Sequence, residues 1–121
     1  MATYSKIVLS GSTDGRGILV DDDATAGKTI HTGSSTATTY DEVWIYAANY
    51  DSSDRKLTIE WGSASAGDII ESTIATEAGL VLVIPGLILK GNSSPLVIAA
   101  FAATTSSIQL FGYVNRIDTS P

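Results

Sequence analysis

Glu42-Val-Trp-Ile-Tyr-Ala-Ala-Asn-Tyr50 and Arg55-Lys-Leu-Thr-Ile-Glu-Trp-Gly62, separated by Asp51-Ser-Ser-Asp54, decide the fold class of this chain. In the second run Leu57, Ile59 and Trp61 alternate with Lys56, Thr58 and Glu60. That is the period of two that sets one face of a strand on a core and the other in water. In the first run Val43, Ile45 and Ala47 alternate with Trp44, Tyr46 and Ala48, so both faces are apolar. The second apolar face needs a cover, from the same chain or from a neighbouring subunit. The four polar residues between the runs have the length of an antiparallel hairpin turn.

The same signature recurs on either side. Upstream lie Tyr4 to Ser10, Gly17 to Asp22 and Lys28 to Thr32, with turn residues such as Gly11-Ser-Thr-Asp-Gly15 between them, and the polar stretch Gly33 to Tyr40 reads as an exposed loop. Downstream lie Asp68 to Ile74, Leu80 to Ile84, a short piece at Leu87 to Leu89, Leu96 to Ala102 and Ser107 to Ile117. The last of these sets Ile108, Leu110, Gly112 and Val114 on one face and Gln109, Phe111, Tyr113 and Asn115 on the other, an aromatic and polar face suited to a rim or an interface. Helical periodicity is weak throughout, and a short helix around Glu71 to Gly79 is the single candidate. The pattern predicts an all-β chain: a single antiparallel β-sandwich of about eight strands, jelly-roll or Greek-key-like, over residues 1–121, with flexible ends at 1–3 and 118–121.

Charge and composition exclude several functions. Thirteen carboxylates against seven Lys and Arg give a net charge of −6, which repels a phosphate backbone, so nucleic acid is not an expected partner. The longest apolar run, Leu80 to Leu89, is half a spanning length and is broken by Pro85 and Gly86, so no membrane span is expected. The first residues carry no basic region followed by an apolar signal core, so no export signal is expected either. The chain has no cysteine and therefore neither disulfides nor thiolate zinc sites.

Each chemical motif has a plainer reading that outweighs it. Ala26-Gly27-Lys28-Thr29 ends like a phosphate-binding loop, but Asp22 stands where that loop needs glycine, and Asp21-Asp22-Asp23 would repel phosphate. Those three aspartates, consecutive on an extended chain, point to alternating sides and read as a solvated turn rather than a calcium site. His31 is the only histidine, no nucleophile elbow accompanies it, and it reads as a half-buried structural residue. Glu60, Asp68 and Glu71 could converge as paired carboxylates, yet read as outward residues of half-buried strands. Asn92-Ser93-Ser94 fits a glycosylation pattern and reads as a turn before Pro95. No catalytic residue, metal ligand or cofactor-binding residue is expected, and the chain is not read as an enzyme. Trp44, Tyr46, Phe111 and Tyr113 remain as the candidate subunit or partner interface. Trp61 reads as core, while Trp44 also admits an alternative function, a carbohydrate-binding module that stacks sugar rings and aids adhesion to host surfaces.

Four segments carry a resemblance. Asp41-Glu-Val-Trp-Ile-Tyr46, Arg55-Lys-Leu-Thr-Ile-Glu-Trp-Gly62, Gly79-Leu-Val-Leu-Val-Ile-Pro-Gly86 and Phe111-Gly-Tyr-Val-Asn-Arg-Ile117 resemble a group of small structural proteins of tailed bacteriophages, over most of the chain from Lys6 to Ile117. The resemblance implies a head decoration, or cement, protein. Such a protein is made in the host cytoplasm and joins the virion on the outer surface of the head. Its partner is the major capsid protein, and it adds as a homo-oligomer, a trimer at local three-fold positions, to hold capsomers together. The chain lacks the Pro-rich flexible arm that some decoration families use.

Overall fold

A computed structural model describes residues Met1–Pro121. Nine strands follow one another with no helix: β1 (Thr3–Val8), β2 (Ile18–Leu19), β3 (Lys28–Thr32), β4 (Thr39–Asn49), β5 (Arg55–Trp61), β6 (Ile69–Ile74), β7 (Val81–Lys90), β8 (Val97–Ala102) and β9 (Ile108–Asp118). One sheet has the order β1-β9-β4-β7, with β2 continuing alongside β9 beyond the end of β1, and the other has the order β3-β8-β5-β6. All pairs are antiparallel. The pairs β5–β6, β4–β7, β3–β8 and β1–β9 are nested one inside the next, as in a single long hairpin wound into two layers. With β1 and β2 taken as one interrupted strand, this is an eight-stranded jelly roll.

The inner faces of both sheets supply one core of 18 buried hydrophobic residues. Val43, Ile45 and Ala47 of β4 meet Leu57 and Ile59 of β5 and Ile98, Ala100 and Ala102 of β8, all almost fully buried. Alternation in sequence becomes burial in space because successive strand residues point to opposite faces.

Several expectations need correction. The runs on either side of Asp51–Asp54 form no hairpin. β4 pairs with β7 and β9, whereas β5 pairs with β6 and β8, so the turn is an arch between sheets. Side chains hold the arch: Asn49 Nδ2 donates to the carbonyls of Ser53 (2.8 Å) and Ile74 (2.9 Å), and Arg55 Nε donates to Asp51 (2.7 Å). The expected helix around Glu71 to Gly79 does not form, since Glu71 to Ile74 pair with Arg55 to Thr58 in β6. The two pieces Leu80 to Ile84 and Leu87 to Leu89 are one strand. β7 passes through Pro85 with register shifts that leave Val83 and Gly86 unpaired, and as an edge strand it tolerates a residue without an N–H. At the ends, Thr3 and Asp118 are strand residues paired with each other, and Thr119 N–H donates to Thr38 O at 2.9 Å.

Gly112 marks the tightest point of the central pair β4–β9. A Cβ there would lie 2.0 Å from the Trp44 carbonyl oxygen and 3.1 Å from Ile45 Cα, backbone that cannot rotate aside. Gly112→Ala is therefore expected to cost more than about 3 kcal/mol, measured as a lowered denaturant midpoint, because the two central strands would have to separate.

Candidate functional site

Two side-chain clusters stand out, one on the outer face of the first sheet and one buried at an end of the sandwich. Trp44 lies opposite Tyr113, and Tyr46 opposite Phe111, in adjacent cross-strand rows of β4 and β9. All four share the phase opposite to the core residues, so the structure brings the sequence-predicted aromatic residues together on one outward face. The Trp44 and Tyr113 rings stack with centroids 6.2 Å apart and planes 12° from parallel. Gly86, at φ +80°, brings β7 against the Trp44 ring, where a Cβ would come within 2.9 Å.

The apolar surface extends in both directions. In register beyond the aromatics stand Val8 on β1, and Leu82, Pro85 and Ile88 on β7. Val8, Leu82 and Ile88 keep 45%, 44% and 47% of their surface exposed. The four aromatics are each half-buried. Charge is sparse: Glu42 is the one carboxylate among the outward positions of β1, β9, β4 and β7, in a chain of net charge −6. This is a concentration of uncovered apolar side chains in an otherwise acidic molecule. The expectation that the second face of β4 needs a cover thus ends in a surface that the chain itself leaves open.

Glu42 is itself ordered. Trp44 Nε1 and Asn115 Nδ2 donate to its Oε1 at 2.7 and 3.0 Å, and these two bonds hold its carboxyl below the usual carboxylate range. On the same face Lys6 Nζ sits 5.0 Å from the centre of the Tyr113 ring, a cation–π contact.

The second cluster was not anticipated. A β-bulge between Thr29 and His31 sends both Ile30 and His31 inward, and His31 is buried to 1% exposure. Its Nδ1 accepts the Ser10 backbone N–H at 3.0 Å, so the ring hydrogen resides on Nε2, which donates to Asp41 Oδ2 at 2.8 Å. Asp41 has no exposed surface, and Arg116 grips it from β9 with Nε to Oδ1 at 2.7 Å and Nη2 to Oδ2 at 2.8 Å. Burial, the largest single influence, raises the Asp41 carboxyl. The hydrogen bonds from Arg116 and His31 together outweigh it and bring the pKa down from 3.8 to about 2. The cluster ties the two sheets together, since His31 belongs to one and Asp41 and Arg116 to the other. Both ring nitrogens are committed, and neither is free to take a proton from a substrate. One sequence signal pointed here: Asp41 and Arg116 each continue the inward-facing series of their strands, where a charged residue requires a buried partner.

The remaining candidates separate. Glu60 is buried, not solvated as its alternation with Ile59 and Trp61 predicts. The segment before β3 folds over it, with Gly27 N–H and Thr25 Oγ1 donating to its two oxygens at 2.8 and 2.9 Å. Thr58 is buried beside it on the same face. Asp68 accepts from Ser63 Oγ, and Glu71 pairs with Lys56 at 2.6 Å, so the three carboxylates have separate partners. Asp21 lies 3.6 Å from Lys28 Nζ. Trp61 packs against the core, partly buried, as its alternation predicts. No protein-family model matches the chain, and no curated protein matches it.

Proposed function

We propose that this chain is a virion structural protein, a decoration protein that binds the outer surface of a tailed-phage head and stabilises the shell. The supporting observation is the outer face of the β1-β9-β4-β7 sheet, an apolar surface that the folded chain leaves uncovered. Three of the four segments that carry the phage resemblance, Asp41–Tyr46, Gly79–Gly86 and Phe111–Ile117, run through the adjacent strands β4, β7 and β9 that build this face. Jelly rolls also recur among viral capsid domains, a likeness of fold and not of function.

In this reading the patch centred on Trp44, Tyr46, Phe111 and Leu82 is covered by sister subunits in a homotrimer, and the trimer contacts the major capsid protein. Each subunit then brings its own contact to the shell. Linked contacts convert later binding events into intramolecular ones, so modest individual affinities add up to a large barrier against shell rupture. The edge of the sheet is poorly suited to the same task, because Pro85 and the irregular register of β7 discourage strand addition along it.

Heads lacking the protein are expected to assemble normally and to burst at lower temperature or after milder osmotic shock than decorated heads, scored by release of packaged DNA. Equal survival with and without it would overturn the proposal.

A further inference from the structure

At the β1 corner of the same sheet, diagonally away from Leu82, lies a hollow of about 390 Å³. We infer that this hollow binds an uncharged saccharide. Tyr4, Lys6, Glu42, Asn115, Arg116 and Ile117 line it. Its volume falls within the range of small-molecule sites, and it combines apolar walls with convergent polar groups.

The argument rests on which atoms remain free. Glu42 receives both of its bonds at Oε1, which leaves Oε2 as an acceptor. Asn115 spends its amide nitrogen on Glu42 and keeps Oδ1 as an acceptor. Arg116 turns its guanidinium inward to Asp41, on the other face of the sheet, and supplies no donor here. Lys6 Nζ approaches the Tyr113 ring and forms no salt bridge, so its three hydrogens are donors. Two acceptors and an ammonium donor around one concavity match adjacent hydroxyl groups, each of which donates and accepts. Tyr4 adds a ring face that is 73% exposed, on which the C–H face of a pyranose can stack.

Charge selects the ligand class. Arg116 is neutralised by buried Asp41 behind the sheet, which leaves one cation, Lys6, and one anion, Glu42, as the charges facing the hollow. A phosphate, sulfate or uronate would gain no net attraction there and would approach a molecule of charge −6. A hydroxyl-rich neutral sugar carries no such penalty.

The inference stands apart from the assembly role, because it concerns free donors and acceptors at the corner rather than the aromatic patch. The test uses the whole purified chain. Backbone amide shifts are followed by NMR during titration with uncharged oligosaccharides of glucose, galactose, mannose and N-acetylglucosamine, with a heparin fragment as the charged control. Saturable shifts centred on Tyr4, Lys6 and Asn115 are expected with at least one neutral oligosaccharide at about millimolar concentration. Glu42→Gln keeps an oxygen for Trp44 and Asn115 while removing the charge, so it should melt like the parent yet bind roughly tenfold more weakly. Tyr4→Ala, at an exposed position, should weaken binding without affecting the fold. No saturable shift with any neutral sugar, shifts centred elsewhere, tighter binding of heparin, or unchanged affinity in both variants would each overturn the inference.

Discussion

Arg116→Ala is expected to destabilise the fold by about 3–5 kcal/mol, the cost of leaving a buried carboxylate without its cation. For a domain of this length that is a fall of roughly 10–20 °C in Tm. The size follows from the surroundings of Asp41, which is fully buried and takes two of its three side-chain bonds from Arg116. His31 alone cannot replace them, because its other nitrogen is already bound to the Ser10 N–H. Removing the charge together with its partner should cost much less. Asp41→Asn combined with Arg116→Met leaves a neutral acceptor for His31 and is expected to recover more than half of the loss.

The same cluster sets the acid limit of the fold. Asp41 titrates at about 2 in the folded chain against 3.8 for an ordinary aspartate, so the folded state binds its proton less readily than the unfolded state. This difference contributes about 2 kcal/mol, fully present above the unfolded value and lost as pH falls through the folded one. The acid unfolding midpoint of Arg116→Ala should therefore move upward, since burial then acts on Asp41 with only His31 opposing it.

The second large effect concerns the aromatic face. Tyr46→Glu with Phe111→Glu places two carboxylates in one cross-strand row at the centre of the patch, where the parent has none. The fold should survive, because both positions face away from the core and neither side chain is fully buried. Association should not. Light scattering behind size exclusion is expected to show a trimer for the parent and a monomer for the variant, and retention on heads should drop by a factor of roughly 10² to 10⁴ as linked contacts are lost. A parent that is monomeric at every concentration would overturn the trimer. A variant that remains assembled would show that the contact lies elsewhere.

Much of the architecture was legible because strand alternation is local. Leu57, Ile59 and Val43, Ile45, Ala47 declare their inward face within a few residues, and the four aromatics declare theirs by the same phase. Pairing is not local, which is why the Asp51–Asp54 turn looked like a hairpin. A four-residue polar turn suits a hairpin or an arch equally well, and only the distant partners β6, β7, β8 and β9 decide between them. Glu60 was misread for a related reason. Its alternation is correct, but the cover over it comes from Thr25 and Gly27, more than 30 positions earlier. The buried cluster needed two such facts at once, the bulge at His31 and the pairing of Asp41 with Arg116 across 75 positions.

The nested pairing also fixes an order of events as the chain leaves the ribosome. The pair β5–β6 can close as soon as residue 74 is made, but the first strand must wait for the last, since Thr3 is paired with Asp118. β4, which lies at the middle of its sheet, has no neighbour until β7 and then β9 have been synthesised. Contacts of such long sequence separation place a protein among the slower folders. Through most of translation, the strand bearing Trp44 and Tyr46 is therefore unpaired or an unsatisfied edge with aromatic side chains on it, and the surface proposed for assembly is also the one most open to chaperones before the chain is complete.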